Sequence, residues 1–173
     1  RPQTVVAIAW MVLASLVAEV AETCNVGILD GDSVLYLDRV ESNFPLRAEL
    51  HPGSRVPVHC TGLGKLFLAY LPSRTRKRIL ERIDLKKYTT RTLTDPEALE
   101  ADGAQIRARG YSVNNEEFHD GIISVAVPIH ADADHVISGL AIHAPAARMS
   151  VEDAISHVPV LKKYAEKIAS DLI

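Results

Sequence analysis

The chain has 173 residues, 47% of them hydrophobic and 24% charged, with a formal net charge of -3. That length buries one substantial core without disulfides or a metal, and the balance excludes a disordered chain, a fibrous repeat and a strongly basic nucleic-acid binder. Its two cysteines, Cys24 and Cys60, write no disulfide framework, which fits a reducing, cytoplasmic setting.

In chain order, Thr4 to Ala18, "TVVAIAWMVLASLVA", carries no charge. A membrane-spanning helix needs about 20 apolar residues, and Glu19 and Glu22 close this run too early. Only Arg1 precedes it and "AEVAETC" offers no small-residue cleavage site, so a secretory signal does not fit either. A helix buried in a core or interface is expected. The sequence opens without an initiator Met, and the expectation is an excerpt with further chain upstream.

Cys24 to Leu29 and Ser33 to Val40 are rich in Val, Ile, Leu and Tyr and flank Asp30-Gly31-Asp32, a hairpin signature in which Gly31 supplies the positive φ. Arg47 to Leu50 is expected to extend this sheet before "HPGS" (51–54) turns the chain. In "PVHCTGLGKLFLAYLP" (57–72) a short helix is expected from Gly64, ended before Pro72. A basic amphipathic helix follows over Ser73 to Ile83, with Ile79, Leu80 and Ile83 on its apolar face. A third helix has Thr94 or Asp95 as N-cap, Pro96 in the first position and Gly110 as its stop.

Ile122 to Ile129 and Val136 to His143 form a second hairpin across "HADADH". Ser150 to Asp153 matches a capping box opening a last helix through Ile168, with Ile155, Val158, Leu161 and Tyr164 on one stripe and a kink at Pro159. This mixture predicts an α+β domain: a curved antiparallel sheet with helices packed on it. No internal repeat or linker interrupts it.

Several chemistries can be weighed against the residues. A Walker loop at Gly64-Lys65 fails, because His59 and Leu66 occupy the positions that demand Gly and Ser or Thr. A Rossmann fingerprint fails for want of a third glycine. Cys60 stands before a helix N-terminus, whose dipole would lower its pKa, with His59 adjacent; this keeps a small cysteine-dependent hydrolase as an alternative, although a free cysteine is more often a small buried residue. The seven histidines show no metal-ligand spacing, so no metal or cofactor is expected. The basic concentration from Arg74 to Arg91 is interrupted by Glu81 and Asp84 and lacks interleaved aromatics, which suits a solvated helix face. What survives is an anion cradle. Thr61 and the amides of Gly62, Leu63 and Gly64 open a helix, where unpaired N–H groups and the dipole favour a carboxylate or phosphate.

Four stretches, "ETCNVGILDGDSVLYLDRVES" (22–42), "GSRVPVHCTGLGKLFLAYLP" (53–72), "IRARGYSVNNEEFHDGIISVAVPI" (106–129) and "ISGLAIHAPAARMS" (137–150), together resemble, in order, the effector-binding domain of IclR-type bacterial transcriptional regulators. The resemblance implies a GAF-like or profilin-like fold over residues 23–173, preceded by a linker helix over residues 1–22. It also implies a winged helix-turn-helix for operator DNA that is absent from these residues, a homodimer or homotetramer, and a small acidic or sugar-derived effector. By position it assigns Gly62, Leu63 and Thr61 to the effector cradle, with Asn114, Ser124, Ala141 and His143. An acid is common at the Asn114 position and a small Ser at that of His143. An inward, protonated His143 would add a cation for an acidic ligand, while a strand-end histidine facing solvent would add nothing. A GAF-like module of another signalling protein is the remaining alternative.

Overall fold

The structure is a computed structural model that describes residues 2–44 and 51–172, with side chains from Trp10 to Phe44 and from His51 to Asp171. Arg47 to Leu50 lies outside the described residues. The elements are α1 (Pro2–Val20), β1 (Thr23–Asp30), β2 (Ser33–Val40), β3 (Arg55–Pro57), α2 (Gly62–Tyr70), α3 (Ser73–Arg82), α4 (Pro96–Arg109), β4 (Ser112–Asn115), β5 (Ile122–Asp132), β6 (His135–Pro145), α5 (Val151–Ser156) and α6 (Val158–Leu172).

All strand pairs are antiparallel, in the order β3-β2-β1-β6-β5-β4, and the sheet curls into a half barrel. The period-2 alternation of strands sorts side chains into two cores. On one face Cys24, Val26, Ile123, Val125, Val127, Leu140 and Ile142 pack against α1, α5 and α6. On the other, Val34, Tyr36, Val56, Ala126 and Ala141 pack against α2, α3 and α4. The apolar run of α1 is therefore partly a core helix, with Val12, Leu13, Leu16 and Val17 joining Leu161 and Ile168 of α6 in one cluster.

Local signals explain most boundaries. Gly31 takes φ +63° in the β1–β2 turn, and Gly110 takes φ +83° at the end of α4, whose N-cap Asp95 accepts from the Glu97 N–H. Ser150 and Asp153 form the capping box that opens α5. Instead of one helix kinked at Pro159, the chain breaks at His157 and restarts. Pro159 is the second residue of α6, where its missing N–H has no intrahelical acceptor to lose. Helix α2 begins at Gly62, two residues earlier than expected, because Thr61 serves as its cap. Strands β3 and β4, of three and four residues, carry too short a pattern to be seen in the sequence.

The basic helix departs from a wholly solvated face. Arg76 is buried; its Nε donates to Glu100 Oε1 at 2.7 Å and its Nη1 to the carbonyl oxygen of Leu71 at 2.8 Å. It thus caps the C-terminal end of α2, where unpaired carbonyls favour a cation.

Candidate functional site: the cradle under helix α2

The site is built where the N-terminus of α2 meets the sheet. Thr61 is extended, its Oγ1 accepts from the Gly64 N–H at 3.1 Å and donates to the Pro57 carbonyl at 2.6 Å. The N–H groups of Gly62 and Leu63 find no acceptor among the described residues. Ser112 Oγ donates to the Gly62 carbonyl and fastens the helix start to β4. A Cβ on Gly62 would stand 2.5 Å from Ser124 Oγ, so only glycine lets the backbone come this close to β5.

Strand register gathers the other residues. Asn25 faces Ala141 across β1–β6, Ala141 faces Ala126, and Ala126 faces Ser112. One step along, Thr23 faces His143, His143 faces Ser124 and Ser124 faces Asn114. Pleating puts these two rows on the side of the sheet that α2 covers. All seven residues picked from sequence, Thr61, Gly62, Leu63, Asn114, Ser124, Ala141 and His143, are buried, and the four sheet residues lie in adjoining positions of these rows.

His143 corrects one expectation. It is buried, its Nε2 lies 2.9 Å from Asn25 Oδ1, and its ring meets Tyr36 edge-on with centroids 6.1 Å apart. Burial, assisted by the charge of Arg39, pushes its pKa down to about 3. It is a neutral hydrogen-bonding group at ordinary pH and supplies no cation. The solvent-facing alternative falls with it. Asn25 itself was missed by sequence reasoning; a polar residue in an apolar strand was the available signal.

Two polar atoms of the rows, Ser124 Oγ and Asn25 Nδ2, are buried without a well-formed hydrogen bond, although Asn25 lies close enough to Tyr36 to act on its hydroxyl. Buried polar atoms left unpaired cost about 1–3 kcal/mol each, so these two, beside the Gly62 and Leu63 amides, are the groups here best placed to bond a small polar ligand. Asn114 completes the set: its Oδ1 accepts from the Glu117 N–H at 2.8 Å. Also missed was Lys65, a buried helix residue whose Nζ lies 3.0 Å from Glu117 Oε1 and 3.1 Å from Asp102 Oδ2.

The pair Cys60–His59 does not assemble into nucleophile and base. Cys60 is buried, and burial, aided by the charge of Glu117, pushes its thiol up to about 12, against the lowering expected from the helix dipole. His59 Nε2 is occupied by the Lys86 carbonyl at 2.8 Å. Among the described residues no group of His, Cys, Asp and Glu could hold a metal ion, and no helix is long and apolar enough to cross a membrane.

Comparison with known proteins agrees with this geometry. The family model described as bacterial transcriptional regulator IclR C-terminal matches residues 2–170. The chain is 44% identical over 157 residues to the probable transcriptional regulator SauR of Cupriavidus necator, covering 91% of this chain and 62% of that relative. Among solved structures, Thermotoga maritima IclR superposes with a TM-score of 0.89 at 32% identity, covering 97% of this chain and 68% of that one. An IclR homologue from Microbacterium hydrocarbonoxydans complexed with 4-hydroxybenzoate gives 0.86 at 26% identity, covering 98% and 68%. With the half-barrel sheet, the helix lying over its rows and a matching model across nearly its whole length, the chain belongs to the C-terminal domain family of IclR bacterial transcriptional regulators.

Proposed function

We propose that residues 23–173 sense a small carboxylate for a transcriptional regulator, that α1 serves as the linker over residues 1–22, and that operator DNA is bound by a winged helix-turn-helix upstream. The observation that carries this reading is the cluster of unpaired donors: the Gly62 and Leu63 N–H groups, Ser124 Oγ and Asn25 Nδ2. Each is a donor or can act as one, and a carboxylate offers about four acceptor positions. The α2 dipole adds favourable potential without a buried ammonium or guanidinium having to be desolvated. Ala141 and Leu63 bound the cradle with apolar surface.

Supporting this reading, the chain spans 62% of the length of the relative from Cupriavidus, leaving room in that protein for a further domain, and the neighbour from Microbacterium carries a carboxylate, 4-hydroxybenzoate. A homodimer or homotetramer fits the exposure of Trp10 and Met11 on α1, 51% and 66%. Such a regulator acts in the cytoplasm, and the protonated thiol of Cys60 favours sensing over hydrolysis. Mechanistically, a carboxylate that binds one arrangement of the oligomer better shifts its population by that difference in affinity and no more. No bond is made or broken.

The test is a thermal-shift and calorimetry panel of acetate, pyruvate, gluconate and 4-hydroxybenzoate with the 173-residue chain. A ligand at 100 times its Kd stabilises by about 2.7 kcal/mol. The reading expects at least one carboxylate to raise Tm and Ser124→Ala to abolish that shift. A panel with no effect, or a shift indifferent to Ser124→Ala, refutes it.

A further inference from the structure

The ammonium of Lys65 is a buried charge for which effector binding, as read above, has no use. It sits one turn into α2, only 3% exposed. Its Nζ reaches both carboxylate oxygens of buried Glu117, at 3.0 and 3.1 Å, and Asp102 of α4 at 3.1 Å. Desolvating a lysine and a glutamate is costly, and such a pair is poor evidence for stability alone. Its consequence for the neighbouring residues is more specific.

Glu117 closes a tight turn at the end of β4. Its Oε2 also accepts from the Asn115 N–H at 3.0 Å, and its own N–H donates to Asn114 Oδ1 at 2.8 Å. Glu116 between them has φ +55°, a left-handed conformation that side chains resist. Thr89 Oγ1 donates to the Glu116 carbonyl at 2.7 Å and Thr92 Oγ1 to the Glu117 carbonyl at 2.6 Å, which locks the turn from the other side. A backbone N–H can only donate, so the atom of Asn114 facing Glu117 must be the oxygen. The nitrogen is thereby set on the other branch of the amide, and it finds no acceptor among the described residues. Asn114 stands opposite Ser124 in the sheet, next to the unpaired hydroxyl and the start of α2.

We infer that Lys65 is a positioning residue for the effector: through Glu117 it holds the turn after β4 so that Asn114 offers its amide nitrogen to the cradle, making this subsite a donor for an anionic oxygen. The inference rests on the carboxylate-binding reading for its purpose, and its structural half stands apart from it. Without the ammonium, Glu117 is a buried carboxylate short of compensation; its side chain turns outward, the tie from the Asn115 N–H to its Oε2 is lost, and the loosened turn no longer holds the Glu117 N–H against Asn114. Polarity at the subsite is then no longer fixed, because an asparagine amide turned over presents an acceptor where a donor stood.

The test has two arms. In the first, the side-chain amide signal of Asn114 is followed by NMR in the 15N-labelled chain, assigned by its loss in Asn114→Asp. Lys65→Met is expected to broaden or split that signal while the backbone spectrum stays folded. Glu117→Gln, which keeps shape and an acceptor for the Asn115 N–H, is expected to do the same and serves if Lys65→Met does not fold. A sharp, unshifted Asn114 amide in a folded variant overturns the inference. In the second arm, the affinities of acetate, pyruvate, gluconate and 4-hydroxybenzoate are measured by calorimetry. Lys65→Met and Asn114→Ala are each expected to weaken the carboxylates that bind wild type by tenfold or more, and the double variant no further. Losses that multiply in the double variant mean that Lys65 acts on stability alone, and overturn it. If none of the four binds wild type, the carboxylate reading fails, and the Asn114 signal still decides the role of Lys65.

Discussion

His143 Nε2 and Asn25 Oδ1 lie 2.9 Å apart in the floor of the cradle and join adjacent strands β6 and β1. With the oxygen accepting, the neutral imidazole donates from Nε2, and the Nδ2 of Asn25 is left for a guest. The bond orients Asn25 and fixes the histidine tautomer, while burial and the nearby charge of Arg39 keep the ring neutral.

The pH dependence follows from that pair. His143 has its pKa lowered from 6.5 to about 3 by burial first and by Arg39 second. The unfolded chain takes up a proton near pH 6.5 while the folded chain does not, so stability is undiminished above that pH and is lost as pH falls towards 3. At about 1.4 kcal/mol per pH unit, the loss between pH 8 and pH 5 is about 2 kcal/mol from this residue. Urea denaturation at both pH values should show that difference removed in His143→Gln. Equal pH sensitivity in the variant would mean that other groups carry it.

Gly62 and Ser124 give a second expectation. The Cβ of Gly62→Ala would meet Ser124 Oγ at 2.5 Å, whereas its other neighbours, at 3.6 Å, are ordinary contacts. Overpacking of this kind costs about 1–3 kcal/mol. Because the obstruction is one hydroxyl, Gly62→Ala in a Ser124→Ala background should recover most of the loss. Denaturant midpoints of the two single variants and the double variant measure the coupling, and strict additivity would place the strain elsewhere.

Arg76 offers a third. Its guanidinium bonds Glu100 and also the Leu68, Ala69 and Leu71 carbonyls at 3.3, 3.5 and 2.8 Å, a fan that the single ammonium of lysine cannot span. Arg76→Met strands those carbonyls at the end of α2 and should cost about 2–3 kcal/mol, with Arg76→Lys recovering less than half. Thermal melts decide it.

How far the sequence could reach depended on whether a signal was local. The caps Asp95 and Ser150, the Gly110 stop and the two hairpins are written in consecutive residues, and the structure places them there. The cradle residues came from resemblance, and register then supplied the physical reason for their meeting: Ser124 faces His143 on one side and Asn114 on the other only because β5 lies between β6 and β4. What stayed hidden was set by distant partners. The charge state of His143 depends on a burial that alternation alone left undecided, and the role of Lys65 depends on Glu117, 52 positions away. Arg76 looked like one more solvated cation until the C-terminal end of α2 was seen to fold over it.

Cys60 separates sensing from hydrolysis. A thiol that works as a nucleophile is a thiolate near neutral pH and is open to reagents. Here burial raises it to about 12, Glu117 adds to the rise and Lys65 offsets part of it; at pH 8 that leaves a thiolate fraction of about one in ten thousand. Cys24 is buried as well, its thiol also raised by burial. Iodoacetamide at pH 8 should therefore leave both thiols of the native chain unmodified over a time in which the urea-unfolded chain is fully alkylated at both. Rapid single modification of native protein, mapped to Cys60, would restore the cysteine as a chemical centre. Cys60→Ser should leave carboxylate affinity within about twofold of wild type, since the hydroxyl fills nearly the same volume and the cradle draws its donors from Gly62, Leu63, Ser124 and Asn25.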